Sequence, residues 1–452
     1  MEKNAILERW EIVLLERKSR AAVFSPDGEV LRTYGGIAEE AARWTDRLGS
    51  HSPRGSIGLQ MGNDPSWPAI LLAAWKLGCP AVPLDGDLTG ERRSRLEKLC
   101  GISLRIERGG GKIVSLESPP APRPASTPQF LKLTSGTMGE ARAIRFTANQ
   151  LLADCDTVCE TMGIRTGDLN YGVISFAHSY GFSNLITPLL CRGVPVVVAE
   201  DRLPLAIATG LGKTRATVLP GVPAIFRALG GSQPGALSLR LCISAGAPLS
   251  TEVGQSFFRS WERKIHSFYG ASECGGICYD DSDDPAPPQG FVGRAMQNVE
   301  IKRLSKSQPA QIEVRSGAVA SGYLPEVPGD VFGGGTFRPA DLLEENGAGY
   351  TIKGRLSETI NVAGRKVDPH EIENILLGCP GVREVVVLGL PAVARGEDVA
   401  ACVAGDVSEE ALRIHCANAL PPWQSPRRWL IVDSLPVNAR GKTSRESLRA
   451  LF

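Results

Sequence analysis

Apolar positions recur at helical spacing over residues 37–48, and a compact apolar run at 56–61 follows them. Residues 69–84 come nearest to a membrane span, but Lys76, Gly78 and Pro80 interrupt them short of the roughly 18 residues such a span needs. The stretch reads instead as a helix over 65–77, packing through Ile70, Ala73, Ala74 and Leu77, followed by a short strand over 81–84. Residues 117–128 hold five prolines among few apolar side chains, which predicts a surface connection delivering the chain to an apolar strand at 130–133.

From 170 to 268 the pattern alternates. Strand signals at 172–175, 196–198, 216–219, 239–244 and 265–268 are separated by helix signals at 182–190, 203–211, 222–229 and 249–263. Such alternation predicts helices covering a parallel sheet, a fold in which ligands bind beyond the carboxyl ends of the strands. After residue 290, short strands at 300–301, 311–315 and 349–353 predict a small barrel-like subdomain. From 361 onward, helices at 369–377 and 408–419 with strands at 385–388, 400–403 and 429–432 supply enough material for a small α+β domain. The expected fold is an α/β large N-terminal domain with layered sheets over residues 1–356, then a C-terminal α+β domain over 357–452. Ser357 and Glu358 interrupt the apolar pattern and place a hinge within 355–361.

Composition narrows the function classes. A chain of 452 residues is long enough for more than one core. Fifty basic and 49 acidic side chains give a formal charge of +1, so no global field favours nucleic acid or an anionic membrane. Eleven cysteines are too dilute for a disulfide scaffold, and no basic-then-apolar leader opens the sequence, so the expected compartment is the cytoplasm. Cys155 and Cys159 lack a second His or Cys pair and read as buried thiols rather than a zinc site.

The candidate chemistry starts at Thr134-Ser135-Gly136-Thr137-Met138-Gly139. Gly136 and Gly139 let backbone approach an anion, successive amides can form an anion-binding nest, and three hydroxyls add donors. No Gly-Lys-Ser/Thr ending follows, so this is not a P-loop. Taken alone, the run fits an ordinary turn as well as a phosphate cradle.

An ordered set of further motifs decides between them: His178-Ser179-Tyr180-Gly181, Ser244 through Leu249, Tyr269-Gly270-Ala271-Ser272-Glu273, Asp341, Gly354-Arg355, and Leu435-Pro436 through Gly441-Lys442. Together with the 133–139 run they span nearly the whole chain. The set resembles the adenylate-forming enzyme superfamily of acyl- and aryl-CoA synthetases, luciferases and peptide-synthetase adenylation domains, most nearly its acyl/aryl-CoA ligase branch.

That resemblance implies a large N-terminal domain and a mobile C-terminal one sharing an active site. It implies that Thr134, Ser135, Gly136, Thr137 and Gly139 touch the phosphates of ATP, and that Thr137 and Glu273 hold Mg2+. Gly246, Ala247 and Pro248 would lie beside adenine, with Tyr269 stacking on the base and Gly270 and Ala271 close to the ligand. Asp341 would accept both ribose hydroxyls, and Arg355 would contact ribose or phosphate. Lys442 would reach the acyl carboxylate and the α-phosphate, and His178 would gate or contact the acid.

Peptide-synthetase domains commonly place an aspartate near the His178 segment to pair with a substrate ammonium, yet residues 174–183 contain no Asp or Glu. The expected substrate is an acyl or aryl carboxylic acid rather than an α-amino acid, and the expected thiol acceptor is CoA. Phosphopantetheine on a standalone carrier protein, or a non-catalytic nucleotide-binding role, are the competing readings. The chain departs from the family pattern at Ala141 and Arg142, where proline and lysine are usual, at Pro339-Ala340 before Asp341, and at Ser357 and Asn361 in the hinge.

Overall fold

The Thr33 hydroxyl accepts a hydrogen bond from the Gly36 amide and starts the helix Tyr34–Gly49, which buries Ile37, Ala41, Trp44 and Leu48 along one stripe. It packs on the helix Trp67–Lys76, where every residue from Trp67 through Trp75 is buried. A helix apolar on all sides belongs to a core, and this one stops at Leu77, before the left-handed Gly78. A third helix, Ala148–Met162, carries a full capping box between Thr147 and Gln150 and ends at the left-handed Gly163. The computed structural model describes residues 4–86, 88, 90–108, 112–116, 129–134, 142–232, 238–326, 332–356, 360–362, 365–392, 396–436, 443 and 445–452. The proline-rich connection expected at 117–128 therefore lies outside the described residues.

The chain divides into two units. The first comprises Met1–Lys302, Glu313–Arg338 and Ala348–Tyr350. One of its sheets runs in the order Tyr323–Leu324, Arg142–Phe146, Phe130–Thr134, Ala81–Pro83, Ser56–Gln60, Ile102–Glu107, Lys112–Ser115. The other has a parallel centre: Ala21–Phe24, Val196–Val198, Asn170–Gly172, Val218–Gly221, Leu241–Ser244 and Ile265–Ala271. Val196, Val197 and Val198 are all buried, as expected of a parallel strand covered on both faces.

Two local expectations shift, for identifiable reasons. The strand expected at 172–175 instead occupies Asn170–Gly172. The Asn63 amide takes the Gly172 and Ile174 carbonyls, each at 2.9 Å, and accepts the Phe176 N–H at 2.9 Å, so ladder groups are diverted to a side chain. The helix expected at 182–190 is a π-turn, Phe182–Ile186, followed by the helix Thr187–Arg192. Pro188 has no N–H to offer Asn184, whose carbonyl accepts the buried Asn170 amide at 3.1 Å instead.

The barrel-like subdomain is corrected. Ala310–Ser316 pairs with Thr336–Phe337, which pairs with Phe332–Gly333, and the path ends there with no closed barrel among the described residues. Strands of two residues are too short to carry a staggered ladder around a closure.

The second unit comprises Arg303–Ile312, Pro339–Gly347 and Thr351–Phe452. Its sheet is centred on Gly396–Gly405, antiparallel to Val382–Ala392 and parallel to Arg428–Val432. Helices Pro369–Leu377 and Glu409–Ala419 contribute Ile372, Leu376, Leu412 and Cys416 to a core with Val387, Ala401 and Val403. Alternate residues build a second apolar cluster, in which Leu388, Leu390, Ala400 and Cys402 meet Leu435 and Leu448.

Candidate active site

The glycine-rich run bridges two paired strands. Phe130–Thr134 and Arg142–Phe146 are antiparallel, with Leu133 opposite Ala143 and Thr134 opposite Arg142, so the connection 135–141 leaves and returns at one point. Ser135, Gly136, Thr137 and Gly139 lie outside the described residues, as does Lys442; Thr134 ends its strand.

Glu273 is tied to the same place. It occupies the turn between Ile265–Ala271 and Gly275–Tyr279, and its Oε1 accepts the Tyr323 hydroxyl at 2.9 Å. Tyr323 in turn sits opposite Ile144, on the strand that follows the glycine-rich run, and the Arg142 guanidinium lies 5.8 Å from the centre of its ring. The turn's backbone is fixed as well: the Ala320 amide donates to the Glu273 carbonyl at 2.9 Å. Gly275 has φ +70°, and a Cβ there would fall 2.0 Å from Asp154 Oδ1, so the turn admits only glycine. Asp154, 3% exposed on the helix Ala148–Met162, accepts the Gly276 amide at 3.1 Å and the Ser183 hydroxyl.

Beneath this arrangement lies Lys132, whose side chain is buried and whose Nζ makes no hydrogen bond among the described residues. The ammonium stands 4.5 Å from the Phe146 ring centre. Burial pushes its pKa below the ordinary lysine value, against the opposing fields of Asp154, Cys274 and Glu273.

The expected adenine segments occupy the carboxyl ends of neighbouring parallel strands. Leu241–Ser244 pairs with Ile265–Ala271 through Ser244 and Ser267, bringing Gly246-Ala247-Pro248 and Tyr269-Gly270-Ala271 to one edge of the sheet. Gly246 turns with φ +87°, and Gly246, Ala247 and Pro248 are exposed. Tyr269 is buried, and at Gly270 a Cβ would meet the Gly275 carbonyl at 2.6 Å.

His178 precedes the short helical turn Ser179–Gly181, and its Nδ1 lies 3.2 Å from Asp85 Oδ1. Tyr180 donates its hydroxyl to the Ile243 carbonyl at 2.9 Å and packs on Phe268, so this turn is pinned against the same two strands. Its phenol is pushed far above the ordinary range by burial, and it stays neutral.

Asp341 and Arg355 come together within the second unit. They lie on the adjacent strands Asp341–Asn346 and Gly349–Arg355, with Arg355 Nε 3.5 Å from Asp341 Oδ1.

The first unit thus gathers Glu273, Tyr269, Gly270, Ala271, Gly246, Ala247 and Pro248 about the carboxyl ends of two strands. Residues that the sequence reading did not single out lie beside these and His178: Tyr323, Asp85 and the buried charges Asp154 and Lys132. Lys132 carried one signal, a lone cation in the apolar run 130–133; Tyr323 and Asp85 carried none, because their partners are 50 and 93 residues away along the chain. Among the described residues no cluster of three or more His, Cys, Asp or Glu forms a metal centre.

Residues 107–324 match the family model described as AMP-binding enzyme, and residues 371–442 match the AMP-binding enzyme C-terminal domain. The chain is 24% identical to the long-chain-fatty-acid–CoA ligase FadD13 of Mycobacterium tuberculosis, over 95% of both proteins. It is 28% identical to the benzoate–CoA ligase of Thauera aromatica over 71% of this chain and 65% of that one. The fold matches ATP-bound MatB from Rhodopseudomonas palustris with a TM-score of 0.86 at 21% identity, over 98% of each chain.

Proposed function

We infer that this chain, which belongs to the AMP-binding enzyme family, is an AMP-forming acid–thiol ligase that makes an acyl-CoA from a carboxylic acid, ATP and CoA. The observation that carries this reading is the Tyr323 bond to Glu273, which fixes a carboxylate beside the strands flanking the glycine-rich run. An ATP-activating site needs that pairing: phosphate donors on one segment and an acid for the accompanying cation on another.

The chemistry follows in two steps. A carboxylate oxygen of the acid attacks the α-phosphorus of ATP, and pyrophosphate leaves; no base is required, since the acid is ionised at neutral pH. The sulfur of CoA then attacks the acyl carbon, the thiol proton is released and AMP departs. In this reading Lys442 neutralises charge developing at the α-phosphate in the first step. Asp341 and Arg355 hold the ribose, Gly246 to Pro248 and Tyr269 position adenine, and His178, oriented by Asp85, borders the acid.

Magnesium fits this donor set. It is commonly held by one or two carboxylates together with substrate phosphate oxygens; in this reading Glu273 would supply the carboxylate and Thr137 a hydroxyl. When bound, the ion would neutralise phosphate charge. The C-terminal domain, proposed over 357–452, would turn about the 355–361 connection between the two steps. Among the described residues no helix is long and apolar enough to cross a membrane, and all eleven cysteines are buried free thiols, which suits the proposed cytoplasmic setting.

The relatives act on acids as unlike as long-chain fatty acids and benzoate, so a broad panel of alkyl and aryl carboxylates, with α-amino acids as controls, is the right test. Pyrophosphate release with ATP and Mg2+ and no thiol, then AMP and thioester on adding CoA, is the expected result. Adenylation of α-amino acids alone, or transfer to a phosphopantetheinylated carrier but not to CoA, would overturn the assignment.

A further inference from the structure

We propose that Asp154 is a positioning residue that holds the turn carrying Glu273 and the turn following His178 in one fixed geometry, through the two oxygens of a single buried carboxylate; this rests on the roles proposed above for Glu273 and His178.

Asp154 lies on the buried face of the helix Ala148–Met162, beside Leu151, Cys155 and Val158, and is 3% exposed. A carboxylate so enclosed needs dedicated partners. Its oxygens are divided between two segments: Oδ1 accepts the Gly276 amide at 3.1 Å, and Oδ2 accepts the Ser183 hydroxyl at 2.5 Å. The helix packs against both the strand Gly275–Tyr279 and the π-turn Phe182–Ile186, which carry those groups. An apolar residue could fill this helix position without desolvating a charge, but it could not fix the two segments in register.

The Glu273 side is held closely. At Gly275 the Asp154 carboxylate stands where a side chain would be, and a Cβ at Gly276 would meet Met296 Sδ at 2.5 Å. Just before them, the Cys274 amide donates to the Ala271 carbonyl at 3.2 Å and the Ala320 amide to the Glu273 carbonyl at 2.9 Å. Glu273 is two residues from Gly275, a span of at most about 7 Å, so little slack separates it from the Asp154 anchor. On the acid side, the Phe182 amide donates to the His178 carbonyl at 2.8 Å, and the Ser183 carbonyl accepts the Thr187 hydroxyl at 3.0 Å. The chain from His178 to Thr187 is thus bonded on both sides of Ser183.

Mg2+ is titrated for pyrophosphate release at saturating ATP, and the KM of the acid is measured at saturating Mg2+, with an acid that the wild-type enzyme accepts. Asp154→Ala should raise the Mg2+ concentration for half-maximal release roughly tenfold, the low end of the range for losing a group that supports a metal ligand, and should raise the KM of the acid as well. Asp154→Asn can still accept from Gly276 while donating to the Ser183 oxygen, and should recover most of both losses. Ser183→Ala cuts only the acid-side bond, so the KM should rise about fivefold with the Mg2+ requirement near the wild-type value. Hydrogen exchange across 275–279, without ATP or metal, reads the tether apart from activity; it should quicken in Asp154→Ala and stay slow in Asp154→Asn. If Asp154→Ala does not fold, Asp154→Glu takes its place, since it keeps the charge but moves the oxygens by one methylene, and the same rise is expected.

A fall in melting temperature with an unchanged Mg2+ requirement, Asp154→Asn as impaired as Asp154→Ala, unaltered exchange, or a failure of both the Ala and Glu variants to fold would each overturn the positioning role. Glu273→Gln sets the scale: no shift in its Mg2+ requirement would strike the metal role of Glu273 itself. A wild-type enzyme that releases no pyrophosphate with any acid of the panel would strike the ligase reading instead, while exchange would still test the tether.

Discussion

Arg355 Nε stands 3.5 Å from Asp341 Oδ1, joining two residues assigned to the ribose on the adjacent strands Asp341–Asn346 and Gly349–Arg355. The distance is that of an ion pair, longer than a good hydrogen bond, and Arg355 is 43% exposed. Such a pair contributes about 0–1 kcal/mol to stability. Asp341→Asn should therefore leave the melting temperature nearly unchanged while raising the KM for ATP roughly 10- to 100-fold, because hydrogen bonds to a charged acceptor are worth about 1.5–3 kcal/mol each. A large fall in melting temperature with unaltered KM would refute the ribose assignment.

The Tyr323 hydroxyl donates to Glu273. Removing its hydroxyl with Tyr323→Phe forfeits a bond of about 1 kcal/mol and should raise the Mg2+ concentration for half-maximal pyrophosphate release about fivefold. Glu273→Gln should raise it further. Titrating Mg2+ at saturating ATP tests both, and a Tyr323→Phe enzyme with the wild-type requirement would argue against a metal role for Glu273.

Gly275→Ala should destabilise the protein by about 2–5 kcal/mol. The left-handed φ of +70° costs a side chain about 1–2 kcal/mol, and the new methyl, 2.0 Å from Asp154 Oδ1, adds an overpacking cost of about 1–3 kcal/mol. Urea unfolding would measure it.

Lys132→Met is expected to be neutral or stabilising at pH 7, since the cost of burying an ammonium with no hydrogen bond among the described residues outweighs the opposing fields of Asp154, Cys274 and Glu273. The sign with pH follows from the depressed folded-state pKa. Between that value and the ordinary lysine value the unfolded chain binds more protons than the native one, so the wild type gains stability as pH rises through the window. The advantage of Lys132→Met should accordingly shrink toward high pH. An advantage that grows with pH would mean the ammonium is stabilised in place.

Lys442→Ala should suppress acyl-adenylate formation far more than thioester formation from supplied acyl-adenylate. Measuring the two half-reactions separately decides it, and equal loss in a folded variant would remove Lys442 from its assigned step.

Much of this architecture was legible in the chain. The helix over 369–377 and the strand over 196–198 fall where their apolar patterns put them, because each is flanked by clear breakers, the helix burying one face and the strand both. What escaped was set by distant side chains. Asn63 ended a strand early with no local signature, and the π-turn combined a local signal, Pro188, with the distant Asn170 amide. The barrel-like reading of the region after 290 failed because glycine-punctuated short strands look alike whether a sheet closes or stays open. Within the site, motif residues could be named one by one, whereas their supports Tyr323, Asp85 and Asp154 emerge only when the sheets are assembled.

The Asn63 carboxamide has one more effect. It follows the strand Ser56–Gln60 of one sheet yet grips the backbone at 172, 174 and 176, just beyond the end of a strand in the other. A single residue thus rivets the two sheets together at the approach to His178, and they cannot shear past one another there without breaking three bonds at once. The first unit should behave as one mechanical block under load, with any flexing during turnover taken up elsewhere in the chain.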